Sequence, residues 1–125
     1  MAFEKVCFVH IDQIRKKLGI SGVSTQVNSW LCKADDDKGY FGSQIDLLIV
    51  RKDKIINLCE IKYSDYEYRM DKKTYESLKR KEADLSLFTG NNDSIHPVLI
   101  TCSGLVENDY SDCVQTLVTF EDLFQ

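Results

Sequence analysis

The sequence predicts a single α/β domain, residues 1–125, in which helices cover a central mixed β-sheet and the elements run α-β-β-β-α-β. Three observations predict it. An apolar stripe at helical spacing opens the chain, two strand-like runs separated by a tight polar turn occupy its middle, and a second helical stripe precedes another strand-like run.

Each element follows from its local pattern. Phe3, Cys7, Ile11, Ile14 and Leu18 are spaced as one face of a helix, and Gly19 is placed as its stop. Val23 to Cys32 reads as the first strand, with Trp30 packing near its end. Asp35, Asp36 and Asp37 then form an acidic turn that lacks the spaced oxygens and closing glutamate of a calcium loop, so a solvated loop is expected. Gln44–Val50 and Ile55–Tyr63 read as strands joined around Arg51–Lys54. Asp71 suits a helix N-cap, with Leu78, Leu85 and Phe88 on the apolar stripe and a breaker from Gly90 to Asp93. Pro97–Cys102 and Val114–Val118 read as further strands. Thr119 and Asp122 suggest a capping box for a last helical turn over Phe120–Phe124.

Composition sets limits on function. With 43% apolar and 29% charged residues the chain is an ordinary globular sequence. No run approaches the roughly 20 apolar residues of a membrane span, and the N-terminus lacks a signal-peptide pattern. Five cysteines at irregular spacing, with no CxxC pair, point to reduced thiols in a cytoplasmic protein rather than to a disulfide framework or zinc. The net charge of −4 argues against a general polyanion binder, but its distribution is uneven. Residues 1–50 balance to zero, residues 51–81 carry +4, and residues 82–125 carry −8 with no Lys or Arg. The positive segment is where a phosphate backbone would need it, although a solvated basic helix face accounts for it equally.

The chemistry concentrates in the hairpin of the second and third strands. A turn centred on Asp53 sets Val50 opposite Ile56 and Leu48 opposite Leu58, which brings Asp46 opposite Glu60. Facing side chains have Cβ atoms about 5 Å apart, and like charges there are destabilising unless a cation joins them. Magnesium is held by one or two carboxylates plus water and phosphate oxygens. Lys62 lies two residues beyond Glu60 on the same face, roughly 7 Å along the strand, where it would orient a water or offset charge on a phosphate. Taken alone the same residues also describe a wet sheet end, with Asp46 and Glu60 solvated or paired to Lys62 and Arg51.

Ile45-Asp46, thirteen intervening residues, and Glu60-Ile61-Lys62 together resemble the core of the PD-(D/E)xK, or restriction-endonuclease-like, superfamily. Within it the chain is similar to the C-terminal domain of bacterial ATPases of the AAA/archaeal type. The likeness runs through Leu18–Val23, Gln44–Ile49, Ile56–Tyr63, Asp71–Lys73 and Thr119–Phe124. It implies a three-layer, restriction-endonuclease-like core and a Mg²⁺- or Mn²⁺-dependent nuclease acting on DNA. It makes Asp46 and Glu60 metal-binding carboxylates and Lys62 the catalytic lysine. Glu4 becomes a further metal ligand from the first helix, and Lys72, or its neighbour Lys73, an additional catalytic position on the following helix. Glu4 equally suits a first-turn acid favoured by the helix dipole, and Lys72 a surface lysine. Thr74 stands where relatives carry an aromatic. The resemblance also implies an ATPase partner, in cis or in trans. The chain itself has no GxxxxGK(S/T) loop, and its start inside a helix suggests the C-terminal fragment of a longer ATPase chain. The alternative from another class is a catalytically silent module that docks nucleic acid or its ATPase through the same surface.

His10 and His96 are isolated and read as packing or solvent residues. Tyr63, Tyr66, Tyr68 and Tyr75 interleave with Lys62, Arg69, Lys72 and Lys73, a pattern of nucleic-acid grips as well as of plain packing.

Overall fold

The computed structural model describes residues 2–124. Its order is α1 (Ala2–Val9), α2 (Ile11–Lys17), β1 (Thr25–Cys32), β2 (Ser43–Arg51), β3 (Ile55–Lys62), α3 (Lys72–Thr89), β4 (Ser94–Thr101) and β5 (Thr116–Thr119). Two 3₁₀ turns, Ser111–Cys113 and Phe120–Phe124, flank β5.

The five strands form one sheet in the order β1-β2-β3-β4-β5. β1, β2 and β3 are antiparallel neighbours, and β3, β4 and β5 run parallel. Parallel pairing of β3 with β4 requires a crossover, which α3 supplies. The sheet is mixed, as expected, and both of its faces are covered.

Apolar residues on each face explain the two layers. Under α1 and α2, Phe3, Cys7, Ile14 and Ile20 pack with Leu47, Ile49, Cys59, Val98, Ile100, Val118 and Leu123. Under α3, Leu78 and Leu85 pack with Ile45, Leu48, Ile56 and Leu58. β3 and β4 carry apolar side chains to both sides, the signature of strands buried on both faces.

The hairpin register is the expected one. Val50 pairs with Ile56 and Leu48 with Leu58, and the turn is closed by Lys54 at φ +65° and by Arg51 gripping Asp53. That grip holds the Asp53 carboxyl below its usual range. The ladder ends at Leu47–Cys59, one step short of Asp46 and Glu60.

α3 is capped as its sequence indicates. Asp71 accepts from the Thr74 amide at 2.8 Å, and Gly90 closes the helix in the left-handed region at φ +69°. The five cysteines are free. Asp36 and Asp37 are solvated beyond an Asx turn in which Asp35 accepts from the amides of residues 37 and 38.

Several details depart from expectation, among them β4, which begins at Ser94 rather than Pro97, and β5, which begins at Thr116 rather than Val114. The first helix is two helices, broken at His10 (φ −103°, ψ 32°), and the bend keeps Phe3, Cys7 and Ile14 in one core. β1 starts at Thr25, because the Val23 amide closes a turn onto Ile20. Phe88 is 63% exposed and lies against Trp30, with ring centroids 5.4 Å apart, past the edge of the core. The last turn is 3₁₀, although Asp122 does cap it by accepting from the Thr119 amide at 2.9 Å.

Candidate active site

β2 does not alternate regularly where it matters. Asn28 pairs with Leu48 but Trp30 with Ile45, so two β2 residues, Asp46 and Leu47, face the single Ser29. This is a β-bulge, a device that re-aims one side chain beside functional sites. Its consequence is visible in the packing, for it is Ile45 that joins Leu48 under α3 while Leu47 turns to the other layer. The expected row of Asp46, Leu48 and Val50 on one face is therefore interrupted. Asp46 is half-buried, and its carboxylate accepts from the Gln44 side-chain amide at 3.4 Å.

Glu60 and Lys62 sit at the C-terminal end of β3, on the side of α3. The Glu60 side chain is only 11% exposed. Lys81, from α3, places its Nζ 3.0 Å from Oε2 and 3.3 Å from Oε1. Lys62 approaches Oε1 at 3.5 Å. Two ammonium groups thus hold one carboxylate, and the trio carries a net +1. Removing Glu60 leaves two unpaired ammonium groups, the costly case for sheltered ions, whereas removing Lys81 still leaves Lys62 beside the carboxylate. Across β3–β4, Lys62 is paired with Thr101, which is buried and whose hydroxyl has no hydrogen-bond partner.

Lys81 is absent from the sequence expectation, yet the signal is there. It lies three residues after Leu78 and four before Leu85, so a lysine occupies the apolar face of α3. Its stem runs in the core row while its head reaches Glu60. Lys72, the expected helix position, has a side chain 74% exposed and its Nζ stands 3.9 Å from Glu76 one turn on. The contribution of α3 to Glu60 comes from Lys81 instead.

Asp84 is a second residue the sequence reading passes over. Buried to 1% exposure on α3, it accepts from the amides of Phe41 at 2.8 Å and Gly42 at 3.1 Å and from the Ser43 hydroxyl. It fastens the entry of β2, and hence the strand bearing Asp46, to the helix bearing Lys81.

Glu4 sits half-buried in the first turn of α1. Its charge adds to burial, the larger cause, and to Cys102 in pushing the Cys7 thiol up to about 12. Among the described residues no three His, Cys, Asp or Glu side chains are grouped to hold a metal, so Glu4, Asp46 and Glu60 do not form one three-carboxylate site. Glu60 turns to α3 while the bulge takes Asp46 out of the Leu48–Val50 row on that side and sets it beside Gln44, so the expected facing pair of carboxylates is not brought together. Glu60 already binds positive charge on both oxygens, and the partnerless Thr101 hydroxyl, across from Lys62, leaves a polar atom to be satisfied. The tyrosines divide. Tyr63 and Tyr66 are 60% and 82% exposed, whereas Tyr68 donates to Thr74 and Tyr75 packs on Tyr110.

The fold has a solved counterpart. The crystal structure of AF1548, a protein of unknown function, superposes with a TM-score of 0.59 over 94% of this chain at 16% identity. The chain spans 64% of the length of AF1548, and at that identity the likeness concerns the fold alone. No protein-family model and no curated protein matches the sequence. Among the described residues no helix is long and apolar enough to cross a membrane.

Proposed function

We propose that this chain is a restriction-endonuclease-like domain of the PD-(D/E)xK type that cleaves DNA phosphodiester bonds with a divalent cation, working as a module of an ATPase. One observation carries the proposal. The β2–β3 hairpin, in its Val50–Ile56 and Leu48–Leu58 register, ends beside Asp46 on one strand and Glu60 and Lys62 on the next, within an α-β-β-β-α-β order whose fourth strand runs parallel to the third. By the sequence resemblance Asp46 and Glu60 would hold Mg²⁺ or Mn²⁺, which requires Asp46 to turn to the α3 side and Lys81 to leave Glu60. Such an ion supplies a water of lowered pKa and polarises a phosphoryl oxygen. Lys62, already at the carboxylate, offsets charge on the phosphate in flight and orients the attacking water. The basic segment 51–81 gives the backbone a favourable approach. Five free thiols fit a cytoplasmic setting, and the ATPase association rests on the sequence resemblance.

The test is cleavage of plasmid and short duplex DNA in Mg²⁺ or Mn²⁺. Asp46→Asn and Glu60→Gln each lower the rate by about a hundredfold or more, and chelation abolishes it. A second reading, a silent module that docks DNA or its ATPase, is favoured by Glu60 being paired on both oxygens and by the missing third carboxylate. Salt-dependent DNA binding without cutting, unchanged in Asp46→Asn, selects that reading.

A further inference from the structure

The two edges of the sheet are guarded differently. β5 is four residues long and runs at once into a turn bearing Glu121 and Asp122. β1 is eight residues long, and Thr25–Cys32 contains no Asp, Glu, Lys, Arg or Pro. Short length, charge and proline are the devices that keep an edge strand from pairing, and β1 lacks all three. Among the described residues no strand pairs with its outer side. Val27 faces Ile49, which lies in the layer of α1 and α2, so alternation puts Val27, Ser29 and Leu31 on that face. Val27 is 36% exposed and Leu31 69%. On the opposite face the exposed Phe88 ring rests on Trp30 and widens the apolar strip. The Lys52 amide donates to the Ser24 carbonyl at 3.0 Å, which turns the Ser24 backbone towards β2. By alternation from there, the backbone groups of Thr25, Val27 and Ser29 turn outward.

We propose that β1 pairs antiparallel with β1 of a second copy of this chain, about a twofold axis at Ser29, so that two sheets become one. Side-chain matching and charge both select a second copy as the occupant. Residues facing each other across such an axis share one face of the sheet, and the register centred on Ser29 sets Val27 opposite Leu31 of the other copy, twice. A register centred on Asn28 would spend Val27 on Ser29 and Leu31 on Thr25. The ends of the strand match in charge as well. Exposed Lys52 and Lys54 stand at the Thr25 end, and the loop leaving Cys32 carries exposed Asp36 and Asp37. Lys33 and Lys38 flank that loop, yet Lys33–Lys38 sums to −1 (two lysines, three aspartates) and Arg51–Lys54 to +2 (three basic residues, Asp53). Antiparallel pairing brings each copy's basic end to the other's acidic end, whereas parallel pairing would set like ends together.

Sedimentation velocity on the full 125-residue chain tests this, with the folding of each variant checked by circular dichroism. The parent is expected to sediment as a dimer at about 50 μM. Val27→Lys and Leu31→Glu each bury a lone charge and are expected to weaken the dimer by about a hundredfold. Combining them restores the dimer to within about tenfold, because the introduced charges face each other between copies, while within one chain the two positions lie roughly 13 Å apart. In a Cys32→Ser background, Ser29→Cys is expected to close a disulfide across the axis on oxidation, since facing hydrogen-bonded residues have Cα atoms about 5.5 Å apart. A parent that stays monomeric up to about 200 μM overturns the proposal. So does a dimer that both single variants leave untouched, or one that Ser29→Cys does not crosslink. A monomer whose β1 amides exchange more slowly on adding duplex DNA makes nucleic acid the occupant and overturns it as well.

Discussion

Asp84 offers the sharpest test of how the site is held. Its carboxylate receives three hydrogen bonds from the loop that enters β2, two from backbone amides and one from the Ser43 hydroxyl, all spanning more than forty residues of sequence. Bonds to a charged acceptor are worth about 1.5–3 kcal/mol each. Phe41 is exposed and Gly42 half-buried, so water recovers part of those two on truncation, whereas Ser43 is 8% exposed and recovers little. Asp84→Ala should therefore cost about 4 kcal/mol, a large share of the roughly 5–15 kcal/mol that holds a domain together. In urea unfolding followed by far-ultraviolet dichroism the midpoint falls while the slope stays constant, because the surface exposed on unfolding is unchanged. Asp84→Asn, which keeps the shape and one acceptor oxygen, should lose about half as much. The opposing term is the desolvation of a carboxylate at 1% exposure. If Asp84→Ala lies within about 0.5 kcal/mol of the parent, desolvation cancels the three bonds, and the claim that Asp84 fastens β2 to α3 is wrong.

Two further outcomes follow from single residues. Burial first, then the charges of Cys102 and Glu4, push the Cys7 thiol up to about 12, so the folded state retains a proton that the unfolded chain releases near pH 9. Stability is then fully present below pH 9 and declines as pH climbs towards 12, by about 1.4 kcal/mol per pH unit for this thiol. Urea midpoints from pH 8 to pH 10.5 should fall less steeply in Cys7→Ala than in the parent, and identical slopes would contradict the assignment. At the end of α3, Gly90 adopts φ +69°, and a Cβ there would find its nearest neighbour, the Asn92 side-chain Nδ2, at an unstrained 3.7 Å. Gly90→Ala should cost about 1 kcal/mol from backbone strain alone, and a thermal melt showing no loss would mean the helix ends differently.

Much of the fold could be read from the chain because the relevant patterns are local. Val50 and Leu48 found Ile56 and Leu58 by hydrophobic matching across a short turn, and Asp71 and Gly90 marked the limits of α3 by their capping chemistry. The bulge at Asp46–Leu47 left no such mark. Ile45, Leu47, Leu48 and Ile49 are all buried, so the period-two signal that would reveal an inserted residue is silent in a strand covered on both faces. The break at His10 was hidden for a related reason, since the apolar stripe continues across it. Asp84 was illegible because its partners lie in a distant loop. Lys81 was legible in principle, as a charge on an apolar helix face, but the eye is drawn to Lys72 and Lys73 at the exposed start of the helix, where charge carries little meaning.

The electrostatics of the site bear on its chemistry more directly than the fold does. Arg51, Lys72 and Lys79 of the basic segment are engaged by nearby acids, Asp53, Glu76 and Glu82. Lys62 and Lys81 differ in converging on one carboxylate, where their surplus of one positive charge must be met by something else. A phosphodiester meets it directly. A divalent ion raises that surplus further, so an anion is what the resting trio favours.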